Sequence, residues 1–415
     1  MSLAGAPQGG ASTPEALTGW LRLLLTPTVG PATARKLLAR FGLPEQVFAA
    51  AQSQPDAVQA LVGQRTAAAL REIPPEWQAQ CDLTLQWLAA SANHHCITLA
   101  DAAYPAELLT TEDPPLLLWV QGQLAALAHP RRLAVVGSRN PTPQGVENAR
   151  HFARALAEAG VGIVSGLALG IDGAAHEGAL APLAPPAGHN TQGNDEPGPT
   201  LAVVGTGLDT IYPRRHTALA AAIAERGALV SELLLGTPPI APNFPKRNRI
   251  IAGLTHGTLV VEAALPSGSL ITARLAIEQG REVFAIPGSI HAAQYKGCHA
   301  LIRQGAKLVE SAQDILEDLK PTWPEGAQRS PNSRAQSRAQ NNAPPAPHTV
   351  PVTAGYSGPH APLLAALGHE PTGFDALQAC TGLPTPQLQA ALLELELEGM
   401  VVRLPGGLFQ HLVRG

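Results

Sequence analysis

The middle of the chain alternates short, nearly continuous apolar segments with amphipathic helical stretches. The apolar segments lie at 133–136, 161–164, 201–204, 228–230, 258–261 and 282–286. Helical patterns lie between them at 144–159, 217–226 and 270–279. Strands that are apolar on both faces and alternate with helices indicate a parallel sheet covered on both sides. The predicted fold class is therefore α/β, with a Rossmann-like, mostly parallel, doubly wound sheet.

Changes in composition divide the sequence into four parts. Residues 1–95 have the pattern of short helices and loops, and residues 100–320 contain the predicted sheet. Residues 321–356 are rich in Pro, Ser, Asn, Gln and Ala, which is typical of a flexible linker. Residues 357–415 are predicted to form a small closing domain. A second low-complexity segment, 181–200, predicts a surface insertion in the sheet domain.

Composition and charge restrict the class of protein. Hydrophobic residues make up 45% of the 415 residues but aromatic residues only 4%, so Ala, Leu and Val must fill most of the core. The net charge of −4 means that any nucleic-acid site must be a local basic patch. The four cysteines are widely spaced, which favours a reducing cytoplasm over a disulfide framework or a zinc site. The sequence has neither a secretory signal pattern nor a long apolar run, so no membrane span is predicted.

Loops that follow the predicted strands carry the candidate chemistry. Ligands of such sheets bind beyond the carboxyl ends of the strands, so these loops are expected to share one edge. The first loop contains Gly137, Ser138 and Arg139, where small residues expose backbone N–H groups and the guanidinium suits phosphate. An ordinary tight turn with a solvated arginine explains the same residues equally well.

A second glycine-rich turn contains Ser165 and Gly166 and opens another helix. Asp172 and His176 follow it, and we interpret them as capping and packing residues rather than catalytic ones. A third turn, at residues 205–209, lacks the last glycine of a dinucleotide-binding fingerprint because Thr210 stands there, so no cofactor is predicted. Arg214 comes shortly after this turn.

The most informative segment joins an aromatic residue to a run of cations. Phe244 precedes Lys246, Arg247, Asn248 and Arg249, and residues 230–310 contain eight Lys or Arg against five Asp or Glu. Cations neutralise phosphates and an aromatic ring stacks on an unpaired base, so the segment favours a single strand over a duplex. The alternative is a solvated helix start with Phe244 in the core.

A fifth segment combines an anion-binding turn with a carboxylate. Ser267, Gly268 and Ser269 begin a predicted helix and form a candidate anion nest. Glu262, just before them, is either catalytic or paired with an arginine, and we favour pairing with Arg249 or Arg274. The sequence lacks a P-loop, a nucleophile elbow and a metal-spaced His/Cys cluster, so neither a metal nor an enzymatic activity is predicted.

Taken together, these segments resemble the DprA/Smf family of DNA-processing proteins over about residues 100–320. The resemblance implies single-stranded DNA binding, homodimerisation and loading of the RecA recombinase during natural transformation, without catalytic turnover. Arg139 matches the family's phosphate-contacting arginine, and Arg214 stands where relatives often carry lysine. His216 and His299 stand where asparagine is expected. The predicted DNA-binding residues are Gly137, Ser138, Arg139, Ser165, Gly166, Arg214, Phe244, Lys246, Arg247, Asn248, Arg249, Ser267, Gly268 and Ser269.

The flanking domains have weaker signals. Residues 28–38 resemble a helix-hairpin-helix turn, although a sterile-alpha-motif-like interaction module fits as well. The closing domain has the pattern of a winged helix, with helices at 363–367, 374–381 and 386–398 and a wing at 401–411. Residues 357–415 contain two Arg against five Asp or Glu. This acidic balance argues against duplex binding by the predicted helix at 386–398 and favours a protein contact.

Two other functions fit parts of the sequence. A phosphoribohydrolase-like enzyme that processes nucleotides would pair Glu262 with Arg139, although the Pro-Gly-Gly-x-Gly-Thr loop of such enzymes is missing. A pure protein-interaction scaffold would have no affinity for single strands. The favoured prediction remains a non-enzymatic, cytoplasmic protein that binds single-stranded DNA.

Overall fold

The computed structural model describes residues 14–181, 199–323, 358–367, 371–404 and 408–412. Of these, residues 14–141 and 148–323 belong to one compact unit, and residues 142–147 and those from 358 onward belong to a second. Most of the insertion predicted at 181–200 and of the linker predicted at 321–356 lies outside the described residues. Among the described helices, none combines the length and the apolar character that crossing a bilayer requires.

The first unit begins with a bundle of short helices. Four of them, α1 to α4, start at a proline, which presets the backbone of the first turn and lacks the N–H that would be left unpaired there. Leu17, Leu37 and Val47 are buried in a cluster that also contains Trp119 and Leu229 of the sheet. The bundle therefore shares a core with the sheet. Its helices are α1 Pro14–Leu25, α2 Pro31–Phe41, α3 Pro44–Ser53, α4 Pro55–Val62, α5 Gln64–Ala69 and α6 Trp77–Ala90.

A nine-stranded sheet forms the centre of this unit, in the order β1-β2-β6-β5-β4-β3-β7-β8-β9. The second strand, β2, runs antiparallel to both of its neighbours, β1 and β6. The other seven strands, which follow β2 in the sheet order, all pair in parallel. The predicted α/β fold with a mostly parallel sheet is confirmed. The strands are β1 His94–Thr98, β2 Leu117–Gly122, β3 Arg132–Val136, β4 Gly162–Ser165, β5 Thr200–Val203, β6 Ala228–Ser231, β7 Gly257–Val260, β8 Glu282–Ala285 and β9 Lys307–Leu308.

Helices connect these strands, and the ends of each predicted helix lie within two residues of the ends of an observed helix. Central strand residues such as Val135, Ile163 and Leu259 are fully buried, which explains why their segments are apolar without alternation. The helices are α7 Ala106–Leu109, α8 Leu124–Leu127, α9 Pro143–Glu158, α10 Ile171–Leu180, α11 Thr217–Arg226, α12 Asn243–Gly253, α13 Gly268–Glu278, α14 Lys296–Arg303 and α15 Ala312–Leu319.

The second unit is a winged helix, as predicted. Its core is built from leucines on three helices, including Leu364, Leu377 and Leu395. Its three short strands pair antiparallel in the order β10-β12-β11. The elements are α16 Ala361–Leu367, β10 Thr372–Gly373, α17 Phe374–Thr381, α18 Thr385–Leu397, β11 Val401–Leu404 and β12 Leu408–His411.

Candidate nucleic-acid interface

Loops at the carboxyl ends of the central strands enclose two adjoining cavities. The main cavity, of about 390 Å³, lies between the turn after β3, the start of α12 and the start of α13. The side cavity, of about 130 Å³, is bordered by the turns after β4 and β5. Arg139, Phe244 and Arg247 line both cavities. The predicted residues Gly137, Ser138, Asn248, Ser267, Gly268 and Ser269 also line the main cavity, and Gly166 lines the side cavity.

The turn after β3 is fixed by its backbone and leaves its arginine exposed. The Ser138 N–H donates to the Glu262 carbonyl at 2.7 Å, and the Ile171 N–H donates to the Ser138 carbonyl at 3.1 Å. A Cβ atom on Gly137 would lie 2.7 Å from Cγ1 of Ile171, so a larger residue does not fit there without displacement. Arg139 is exposed directly after this rigid turn. The arginine can therefore reach a ligand from a well-defined base.

The turn after β4 serves the cavities differently from the prediction. The Ser165 hydroxyl is fully buried and donates to the Val135 carbonyl at 2.6 Å. The N–H groups of Gly166 and Ala168 donate to Oδ2 of Asp172 at 3.1 and 3.3 Å. The Ser165 hydroxyl and the Gly166 amide therefore have internal partners, and the structure does not turn either group towards a phosphate as predicted. Residues of this turn, such as Gly166 and Ala168, form part of the cavity walls.

Arg247 is the buried base of both cavities. Its side chain is only 4% exposed, and its Nη1 donates to the Val203 carbonyl at 2.5 Å. A Cβ atom on Gly166 would lie 1.8 Å from that same nitrogen, so glycine makes room for the guanidinium. Burial lowers the pKa of Arg247 to about 10, while the Asp172 carboxylate opposes this shift. Arg247 stays charged at neutral pH but is a positioning residue rather than the surface cation that we expected.

Asp172 and His176 of α10 both have structural roles, but Asp172 holds the preceding turn and does not cap the helix as predicted. Burial raises the pKa of the Asp172 carboxyl, and Arg247 partly offsets this effect. His176 is fully buried, with its Nδ1 2.7 Å from the Thr200 hydroxyl. Burial lowers the pKa of His176 to about 3, so the ring is neutral at physiological pH. Asp172 fixes a turn and His176 packs in the core.

The start of α13 gives the main cavity its anion-binding character. Ser267 caps this helix, since its hydroxyl accepts the Ser269 N–H at 3.3 Å and lies 2.6 Å from the Ser269 hydroxyl. The Asn248 amide donates to the Gly268 carbonyl at 3.3 Å, which ties α12 to α13. A helix amino terminus favours negative charge through its unpaired N–H groups and its dipole. An anion is therefore the ligand that suits this wall.

An aromatic pair and a cation form the boundary between the cavities. The Phe244 and Tyr212 ring centroids are 5.5 Å apart at an angle of 42°. The Arg139 guanidinium lies 5.8 Å from the centre of the Phe244 ring. Tyr212 is 47% exposed and lines the side cavity together with Leu169. Sequence reasoning did not select Tyr212 or Leu169, although both lie in loops that follow strands.

Family models of known proteins match three parts of this chain. A family model described as DNA recombination-mediator protein A matches residues 95–320. The chain belongs to the DprA/Smf family of DNA-processing proteins. A DprA-like N-terminal HHH domain model matches residues 15–79, and a DprA winged helix domain model matches residues 341–407. The predicted family is confirmed, and of the two interpretations of the N-terminal helices the matched model favours the helix-hairpin-helix type.

Several relatives of this DprA-family chain cover most of its length. Protein Smf of Escherichia coli (strain K12) is 47% identical over 331 residues, which are 78% of this chain and 79% of that protein. The DNA processing protein DprA of Streptococcus pneumoniae is 44% identical over 223 residues, 54% of this chain and 73% of that protein. The X-ray structure of the Streptococcus pneumoniae protein has a TM-score of 0.60 and 35% identity, covering 74% of this chain and 99% of that one.

Some predicted residues of this DprA-family chain lie outside the two cavities. Lys246 and Arg214 are exposed and line neither cavity, although each is next in sequence to a residue that does. The two histidines that replace expected asparagines each contact a loop carbonyl. His216 Nδ1 lies 3.0 Å from the Leu167 carbonyl, and His299 Nε2 lies 3.0 Å from the Gly288 carbonyl.

Arg249 takes part in an internal ion network instead of facing the cavities. Its guanidinium pairs with Glu232 and, at 3.3 Å, with Asp113. Asp113 also pairs at 2.5 Å with Arg35 of α2. The network therefore links the HHH bundle to the helix that carries Phe244. The structure therefore does not place Arg249 at the cavities as predicted, because its guanidinium is paired with two carboxylates.

Replacing Arg249 with alanine should lower stability far more than DNA affinity. Loss of the guanidinium leaves the largely buried Glu232 carboxylate without its cation, at a cost of about 2–4 kcal/mol, while Asp113 keeps Arg35 as its partner. The matched variant Arg214→Ala removes an exposed arginine and should change stability by about 0.5 kcal/mol or less. Chemical denaturation and single-strand affinity, measured on both variants, test this. An Arg249→Ala variant of unchanged stability but much weaker DNA binding would contradict the placement.

Proposed function

We propose that this protein binds single-stranded DNA at the main and side cavities, protects it and, as a homodimer, helps load the RecA recombinase during natural transformation. The observation that carries the proposal is that an exposed cation, one exposed and one half-buried aromatic ring, and a helix amino terminus meet at these two adjoining cavities. Arg139 and the start of α13 suit phosphate, and Phe244 with Tyr212 offers faces for bases. A strand with unpaired bases can use both features together.

The volume of the main cavity supports a single strand over a duplex as the ligand. A cavity of about 390 Å³ has the volume of a small-molecule site, so it can admit a few nucleotides at most. In a duplex the base faces are stacked on one another and are unavailable to Phe244. The acidic balance of the winged-helix segment also argues against a duplex contact there.

The recombination steps in the proposal rest on family membership. The matched family model is described as a recombination mediator, and relatives are named DNA processing proteins. A protein that holds a single strand through its backbone, without reading sequence, is suited to passing that strand to a recombinase. RecA loading, homodimerisation and a cytoplasmic location are the parts of the proposal that rest on this family membership.

The proposed function is non-enzymatic. The competing phosphoribohydrolase interpretation requires the Glu262 carboxylate to meet Arg139 in an accessible site. Glu262 is fully buried and lines neither cavity, whereas Arg139 is exposed. Incubation with adenosine monophosphate should therefore release no base, and detectable release would favour the enzyme.

Binding measured across a salt series tests the central claim. The full chain should prefer single-stranded over duplex DNA, and the logarithm of its association constant should fall with the logarithm of salt by about 0.7 per phosphate neutralised. A stimulation of RecA filament nucleation on the same strands tests the loading step separately. A preference for duplex would contradict the proposal and direct attention to the HHH bundle.

A further inference from the structure

The helix α18 of the winged-helix unit is apolar on two opposite faces. Its inner face buries Leu388, Ala391, Leu392 and Leu395 in the core of that unit. Its outer face carries the exposed residues Pro386, Ala390, Leu393 and Leu397, spaced by four, three and four positions. Leu393 is 57% exposed and Leu397 is 81% exposed. A surface helix normally turns polar residues outward, so this outer stripe is unusual.

Glutamates border the stripe on both sides. At about 100° per residue, Glu394 and Glu396 fall on opposite sides of the line through Leu393 and Leu397. Both glutamates are exposed, and Glu398 follows at the end of the helix. The Glu394 carboxylate lies 2.6 Å from Nε2 of His360, which holds it at the border. The outer face of α18 is therefore an apolar stripe with anionic edges, and we call it the α18 stripe.

The place of α18 in the fold makes its chemistry informative. In winged helices that read DNA, the corresponding helix enters the major groove and carries basic side chains. Here leucines and glutamates occupy those outward positions, so the helix keeps its exposed location but would repel phosphate. An exposed surface of this composition is typical of a protein contact.

We propose that the α18 stripe docks an amphipathic helix of a partner protein, with an apolar face bordered by Lys or Arg. The leucines would pack between the apolar residues of that helix, and the glutamates would pair with its basic borders. Nucleic acid and anionic lipid are excluded because both bring negative charge to Glu394 and Glu396. A second copy of this chain is disfavoured for the same reason, since it would bring its own glutamates.

This proposal goes beyond the single-strand site and uses none of its residues. A suitable probe is a labelled 18-residue helical peptide with leucines at matching spacing and lysines beside them. The full chain should bind this peptide and not a control peptide in which glutamates replace the lysines. The double variant Leu393→Gln/Leu397→Gln should weaken binding by at least about tenfold, because two apolar contacts are lost. Leu83→Gln, at an exposed leucine of α6, is the matched control and should bind normally.

Charge reversal gives a second and stricter test. The variant Glu394→Lys/Glu396→Lys should bind the acidic peptide in preference to the basic one. Single-strand affinity should stay the same in the leucine variants, so failure of this proposal is distinguishable from failure of the proposed function. Equal binding of both peptides, or basic-peptide binding that survives Leu393→Gln/Leu397→Gln, would overturn it. Loss of self-association in that double variant, seen by sedimentation, would show that a second copy covers the stripe instead.

Discussion

Replacing Arg139 with alanine is expected to weaken single-strand binding by about ten- to a hundredfold, the loss of one charge-assisted phosphate contact. The reason is positional, because Arg139 is an exposed cation at both cavities and stands on a turn fixed by two backbone hydrogen bonds. The loss should be equal for strands of different base sequence, since phosphates carry no sequence information. The salt slope should fall by about 0.7 for the lost phosphate contact.

A matched control for Arg139 is available on α9. Arg154 is an exposed arginine that pairs with Glu158 one helical turn away and lines neither cavity. Arg154→Ala should leave both the affinity and the salt slope unchanged, apart from a small effect of net charge. A loss of affinity in Arg139→Ala that depends on base sequence, or that leaves the slope unchanged, would contradict a phosphate contact.

The sheet was predictable because burial on both faces leaves a strong signal in the sequence. Each of the six predicted strands overlaps an observed one, from β3 to β8. The three strands that the sequence did not predict lie towards the two edges of the sheet. β1 begins with His94 and His95, which are only half-buried, and β9 has two residues, so neither shows a continuous apolar run. β2 has such a run but was not assigned to the sheet.

The convergence of the candidate residues was also predictable, because it follows from topology. Parallel strands place all their following loops at one edge, so Gly137, Phe244 and Ser267 meet although they are far apart in sequence. The structure adds Tyr212 to this group. Its contribution depends on the path of the loop after β5, and no periodic pattern encodes such a path.

The orientation of individual cations was not predictable. Consecutive helical residues are about 100° apart, so the run from Lys246 to Arg249 covers the whole circumference of α12. Lys246 is exposed, Arg247 points into the buried base of the cavities, and Arg249 meets Asp113 and Glu232. The sequence reveals a cationic cluster but not which members face solvent. Distant carboxylates decide that, and their positions exist only in the folded chain.

The second large effect is expected from Phe244→Ala, which should weaken single-strand binding by about 1–3 kcal/mol if one base stacks on the ring. Unlike Arg139→Ala, this change should leave the salt slope intact, because no counterion release is lost. Phe244 also packs on Gly205, where a Cβ atom would lie 2.9 Å from its Cδ1, so part of the ring supports the fold. The affinity must therefore be compared with the unfolding free energy of the same variant.

Two further substitutions at Phe244 separate stacking from packing. Phe244→Leu keeps much of the apolar volume but removes the aromatic face, so it should bind almost as weakly as Phe244→Ala. Phe244→Tyr keeps the face and should bind nearly as well as the original, since the Phe244 side chain is only half-buried. Full affinity in a folded Phe244→Leu variant would mean that the ring only packs and that phosphate contacts account for the binding. In that case single strands would keep their advantage over duplex only through the small size of the cavity.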